Sequence, residues 1–141
     1  MSRILVIEDQ KLLAQLYRSA LAIGKHTVVL AQNGEDGVAE ALREKPDLVI
    51  LDLSLPGISG AEVAGALGKL GFLPETPLII ATALGEEARP IADSFKAAAL
   101  LPKPFHLDTL LAAVESALSV TAWKQSSSNA ATLATVPSIT A

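Results

Sequence analysis

An open, doubly wound α/β sheet is the fold class that this sequence predicts. Three observations predict it. Short, continuously apolar runs alternate five times with stretches of helical periodicity. The runs are apolar on successive residues, which suits strands buried on both faces of a parallel sheet with helices above and below. The chain has 141 residues, too few for an eight-unit barrel, so a sheet with right-handed crossovers must stay open.

The first run, Ile4 to Ile7, is β-branched and reads as a strand. Residues 10–23 follow, with Leu13, Leu16, Tyr17, Ala20 and Leu21 at helical spacing and Gly24 as a stop. Thr27 to Leu30 is the second strand. Asn33-Gly34 turns the chain into a helix over 35–44 with Val38, Ala41 and Leu42 inward, and Pro46 ends the connection. Leu48 to Leu51 is the third strand and runs straight into Asp52. After the Pro56-Gly57 loop, Ser59 caps a helix over 61–70, helped by Glu62 in its first turn. Pro77 opens a fourth strand that ends at Thr82. A fourth helix over 86–95 contains Pro90. Residues 98–101 form a short fifth strand, and 107–119 a last helix with Leu110, Leu111, Val114 and Leu118 apolar. Residues 1–120 read as one domain. Residues 121–141 differ in kind: no charge follows Lys124, Ser, Thr and Ala dominate, and the segment reads as a disordered tail.

Composition excludes several functions. Half of the residues are hydrophobic and 4% are aromatic. A core of Ala, Leu, Ile and Val is therefore available, and global disorder is excluded. A net charge of −4 argues against nucleic acid as a partner, which needs a basic patch. Without Cys, disulfides, Cys-zinc sites and thiol nucleophiles are excluded. No apolar stretch is long enough to cross a membrane. The opening Met1-Ser2-Arg3 leads into an apolar run broken at once by Glu8-Asp9, unlike a signal peptide. The expectation is a soluble cytoplasmic protein without a membrane partner.

In open α/β sheets, ligands bind beyond the carboxyl ends of the strands. Reading those ends in turn collects Glu8 and Asp9, then Asp52, Thr82 and, shortly after the fifth strand, Lys103. Each has a bland reading alone: Asp9 a helix cap, Asp52 a loop residue, Thr82 a strand residue, Lys103 a surface lysine. Together they are informative. Three carboxylates in one crevice repel unless protons or a cation intervene. An all-oxygen set suits Mg²⁺, which needs one or two carboxylates beside phosphate oxygens and water. Lys103 adds a point charge and Thr82 a hydroxyl donor. Such a set fits phosphoryl transfer, where catalysis is mostly positioning and charge neutralisation.

These residues resemble the receiver domain of two-component response regulators, in its single-domain, chemotaxis-regulator-like form. The likeness rests on Glu8-Asp9, Asp52 followed by Leu-Ser-Leu-Pro-Gly-Ile-Ser-Gly, Thr82-Ala83 and Lys103-Pro104-Phe105, and spans residues 3–120. It implies a flavodoxin-like (βα)5 sheet in the order 2-1-3-4-5. It implies that Asp52 accepts a phosphoryl group from a phosphohistidine on a sensor histidine kinase or histidine phosphotransfer protein. Asp9, Asp52 and the backbone carbonyl of Ser54 would hold Mg²⁺ or Mn²⁺, with Glu8 acting through a water. Lys103 would pair with Asp52 and then with the phosphoryl group, and Thr82 would move to a phosphoryl oxygen as the switch. The Lys103–Pro104 bond would be cis. The domain would assist its own phosphorylation and dephosphorylation and would signal to a downstream protein through its fourth helix, fifth strand and fifth helix.

The sequence departs from the family's pattern near the switch. Leu100 stands where the family usually has an aromatic, and cannot make the same rotamer switch. Ser54 and Leu84 occupy positions that in this family influence how fast the phosphoryl group is lost, and an apolar Leu84 offers nothing to orient water. The first helix carries more apolar surface than one core stripe needs, in Leu12, Leu13, Leu16, Tyr17, Leu21 and Ile23, and in the family this surface meets the phosphodonor. A receiver-like binding module that does not use phosphate is the alternative that Leu100 motivates. A flavin- or phosphate-ester-binding protein is opposed by the acidic pair after the first strand. A dehalogenase-type phosphatase is opposed by Ser54, where a second Asp would be needed.

Overall fold

Each of the five apolar runs read as strands forms a strand. The computed structural model describes residues 2–129, with side chains described as far as residue 120. The elements are β1 (Arg3–Ile7), α1 (Lys11–Ile23), β2 (Thr27–Ala31), α2 (Gly34–Arg43), β3 (Leu48–Leu51), α3 (Gly60–Lys69), β4 (Leu78–Thr82), α4 (Arg89–Ser94), β5 (Ala99–Pro102) and α5 (Leu107–Asn129). A short 3₁₀ turn, Gly85–Ala88, precedes α4. The strands form one sheet in the order β2-β1-β3-β4-β5. Every pairing is parallel, with Ile7 beside Ala31 and Leu51 at the leading ends. This is the doubly wound order that the resemblance implies.

Alternation along the strands divides the core into two layers. Leu5, Ile7, Val49, Leu51, Leu78 and Ile80 face α2, α3 and α4, where Ala41, Val63, Leu67 and Ala92 meet them. Ile4, Val6, Leu48, Ile50, Ile79 and Ala81 face the other way, onto Tyr17 and Leu21 of α1 and Leu110 and Val114 of α5. The central strands β1, β3 and β4 are almost wholly buried, whereas β5, at the edge, is half-exposed. Side-chain caps start two helices: Asn33 accepts from the Asp36 N–H, and Ser59 and Glu62 form a reciprocal capping box.

Several boundaries differ from the sequence reading. Leu42 is exposed, not inward: Ala41, one residue earlier, takes the core-facing position, and Leu42 is turned about 100° further round the helix. The helix expected over 86–95 is divided into the 3₁₀ turn and the six-residue α4, with Pro90 in its first turn. The last helix does not stop at 119 but continues to Asn129. No Gly or Pro lies between 120 and 129 to end it. The expected tail therefore begins as helix, and the expectation of disorder over 130–141 lies outside the described residues. Among the described residues, no helix is long and apolar enough to cross a membrane.

Candidate functional site

Backbone pairing continues one residue past the strands and carries the acidic side chains with it. The Glu8 N–H donates to the Ala31 carbonyl at 2.9 Å, and the Asp52 N–H donates to the Ile7 carbonyl at 3.1 Å. Glu8 and Asp52 thus lie side by side at the leading edge of β1 and β3. On the far side, the Lys103 N–H donates to the Thr82 carbonyl at 2.8 Å, which registers the β5–α5 loop against the end of β4. The Lys103–Pro104 bond is cis. Gly60, the first residue of α3, packs directly beneath the Asp52 carbonyl oxygen and Leu53 Cα; a Cβ there would overlap both.

The side chains converge on one point. Lys103 Nζ donates to Glu8 Oε1 at 2.9 Å and to Asp52 Oδ2 at 3.2 Å. The remaining oxygens are engaged by backbone: the Gln10 N–H donates to Glu8 Oε2 at 3.1 Å, and the Ser54 N–H to Asp52 Oδ1 at 3.0 Å. Glu8, Asp9 and Asp52 each offer a carboxylate oxygen within 4.8 Å of the others. Glu8 and Asp52 are 2% and 5% exposed, whereas Asp9 stands exposed at the mouth. Thr82 is fully buried, and its hydroxyl accepts from the Leu84 N–H at 3.2 Å. Leu84 itself is exposed. Leu100 is half-buried against the core layer under α4, and Pro104 is exposed.

Burial pushes the Glu8 carboxyl above its ordinary 4.5, and the hydrogen bond from Lys103 only partly opposes that. Burial alone would lower the Lys103 ammonium, but Glu8 and Asp52 outweigh it and hold the pKa above its ordinary 10.5. The two shifts agree physically: Lys103 has two anionic partners, while Glu8 shares one cation and loses more solvent. Three carboxylates against one ammonium leave an excess of negative charge at the mouth. Hard oxygen donors at this spacing fit a divalent cation of the Mg²⁺ class.

The expected Lys103–Asp52 pair is present at 3.2 Å, and Lys103 also bonds Glu8, at the shorter distance of 2.9 Å. Gly60 was not singled out, although a Gly following a Ser cap is a recognisable signal of close backbone approach. Tyr17, expected among the surplus apolar residues of the first helix, is buried, and its ring meets that of Phe105 with centroids 6.0 Å apart.

Comparison with known proteins now decides the family. The model of the response regulator receiver domain matches residues 4–115. The chain belongs to that family. It is 34% identical over 122 residues to the protein PilH of Pseudomonas aeruginosa, covering 84% of this chain and 99% of PilH. It is 34% identical over 119 residues to the response regulator ArlR of Staphylococcus aureus, covering 84% of this chain and 53% of ArlR. The chain thus spans about half the length of that regulator. Among solved structures, the response regulator TrrA of Thermotoga maritima, in complex with Mg²⁺ and BeF, superposes with a TM-score of 0.74 at 34% identity, covering 82% of this chain and 98% of TrrA. Receiver domains are signalling domains rather than classical enzymes, bind Mg²⁺ at an acidic site, and take their phosphoryl group from histidine kinases or phosphotransfer proteins. The flavin and phosphatase readings give way to this membership.

Proposed function

We propose that this receiver accepts a phosphoryl group on Asp52 from a phosphohistidine and signals through an altered protein-binding surface. One observation carries the proposal: Lys103 Nζ bridges Glu8 and Asp52 at the sheet edge where Asp9 adds a third carboxylate. An Asp52 oxygen attacks phosphorus, the P–N bond to the donor histidine breaks, and its electron pair stays on the imidazole nitrogen, which gains a proton from solvent. The product is an acyl phosphate on Asp52.

Each neighbour has work in this step. Asp9 and Asp52, with the Ser54 carbonyl, would hold Mg²⁺, or Mn²⁺ in its place, and Glu8 would act through a water. The cation supplies charge neutralisation for the transferring oxygens. The Ser54 N–H fixes one Asp52 oxygen and leaves the other facing Lys103. Lys103 then follows the charge from Asp52 to the phosphoryl group. Thr82 exchanges the Leu84 N–H for a phosphoryl oxygen, and the β4–α4 segment moves with it. The domain assists both arrival and loss of its phosphoryl group in this way. Beside Asp9, α1 exposes Leu12, Leu16 and Ile23 at helical spacing, a stripe suited to the donor's helix. The downstream partner would meet α4, β5 and α5, in a cytoplasmic setting.

The test is adduct formation. With Mg²⁺ and acetyl phosphate, wild type forms an acid-stable, hydroxylamine-labile phosphoprotein, and Asp52→Asn does not. An equal adduct in both, or none in either, refutes the proposal. Leu100 supports a second reading, a module that binds partners without phosphate. Absence of Mg²⁺ binding at millimolar metal would favour it.

A further inference from the structure

We infer that Tyr17 is a positioning residue for Lys103, acting through its ring contact with Phe105. The inference rests on the reading of Asp52 as phosphoacceptor. Lys103 has a long, freely rotating stem, yet its ammonium must sit within bonding distance of two carboxylates at once. Ordering such a side chain costs conformational entropy, and the cost falls when the backbone that bears it is fixed. Upstream, that backbone is fixed by the bond from the Lys103 N–H to the Thr82 carbonyl. Downstream, Phe105 lies two residues on, half-buried against the core layer of α1 and α5. There its ring meets Tyr17, at a centroid distance of 6.0 Å and an interplanar angle of 38°.

Tyr17 is suited to this contact. It is 1% exposed and sits mid-helix on α1 between Ala14, Ala20 and Leu21, all buried. Its position does not depend on loop order. The ring and not the hydroxyl makes the contact with Phe105, so phenylalanine should replace Tyr17 without loss. Leu100 lies in the opposite core layer and plays no part in this clamp.

The test compares wild type, Tyr17→Phe, Tyr17→Leu, Phe105→Leu and the Tyr17→Leu/Phe105→Leu double variant, each well below its own melting temperature. Two quantities are read: the rate of Asp52 phosphorylation by acetyl phosphate, and the distance from Lys103 Nζ to Asp52 Oδ2 in crystals of each variant. Tyr17→Phe should stay within about twofold of wild type in rate. Tyr17→Leu and Phe105→Leu should each slow the reaction roughly two- to tenfold, the range an aromatic pair supplies. Both should also lengthen that distance beyond the 3.2 Å hydrogen bond of wild type. The double variant should be no slower than the slower single, because both changes break one contact. Additive losses, a Tyr17→Phe rate as low as that of Tyr17→Leu, or an unchanged Lys103–Asp52 bond in both leucine variants overturns the inference. If Tyr17→Leu fails to fold, Phe105→Leu alone decides, and a wild-type rate and bond there overturn it. A wild type that takes no phosphate refutes the Asp52 reading instead, while the Lys103–Asp52 distance still decides the positioning role.

Discussion

Replacing Lys103 with Met tests the electrostatics of the site in isolation. The change keeps the aliphatic stem and removes the ammonium that bridges Glu8 and Asp52 at 2.9 and 3.2 Å. Two charge-assisted hydrogen bonds disappear, each worth about 1.5–3 kcal/mol. Taking one partner from a buried ion pair costs about 3–5 kcal/mol, because the remaining charge stays buried. The Lys103 side chain is 16% exposed, so water recovers part of that loss. A destabilisation of about 2–4 kcal/mol is expected in EDTA at neutral pH, equivalent to roughly 10 °C in melting temperature for a domain of this size. Urea unfolding followed by far-UV circular dichroism measures it directly. Two further features identify the cause. The gap between variant and wild type should narrow as the pH falls and Glu8 becomes neutral. Mg²⁺ should stabilise the variant more than wild type, since the metal no longer competes with an ammonium. A variant within about 0.5 kcal/mol of wild type in EDTA, or an equal response to Mg²⁺, would show that the Lys103 ammonium does not hold Glu8 and Asp52 in place.

Other expectations follow from the same geometry. The folded-state pKa of Glu8 lies above 4.5, so in the window between 4.5 and that value the folded state binds more protons than the unfolded. This group therefore makes stability fall as pH rises through the window, and Glu8→Gln should remove that component of the slope in urea titrations. Gly60→Ala should cost about 2 kcal/mol or more and slow phosphorylation of Asp52, because the new methyl overlaps the backbone of residues 52 and 53. Wild-type phosphorylation kinetics in that variant would contradict the account. Ser59→Ala should cost about 1 kcal/mol through loss of the capping box while leaving the phosphorylation rate unchanged.

The fold was legible because the central strands are buried on both faces. Continuous runs such as Leu48 to Leu51 leave few other readings, and the residue ending each run becomes a candidate by position alone. Strand order was not legible from those runs; it came with the family resemblance. Positions that depend on a few degrees of helix rotation were lost. Leu42 and Ala41 are both apolar, and periodicity over ten residues does not decide which of them turns inward. The end of α5 was not legible from composition either, since residues 120–129 carry one charge, Lys124, and contain no Gly or Pro that would force a helix to stop.

Much of the site was legible: Glu8, Asp9 and Asp52 come together with Lys103, and the expected Lys103–Asp52 bond is present. The second bond, from Lys103 to Glu8, was not legible, because pairing distances depend on loop register. That register is set by the backbone bonds from Glu8 to Ala31 and from Lys103 to Thr82. Lys103 consequently rests nearer Glu8 than Asp52 in this structure. Gly60 and the Tyr17–Phe105 contact went unassigned because their importance lies in what they touch.

If Asp52 is the phosphoacceptor, served by Lys103 and a cation held at the acidic cluster, a crystal structure grown with Mg²⁺ and beryllofluoride should show it. Beryllium should be bonded to an Asp52 oxygen, a metal ion should touch both residue 9 and residue 52, and the Lys103 ammonium should lie on a fluoride. Beryllofluoride bound at another side chain, or an acidic cluster empty of metal with Lys103 still seated on Glu8, would contradict that role of Asp52.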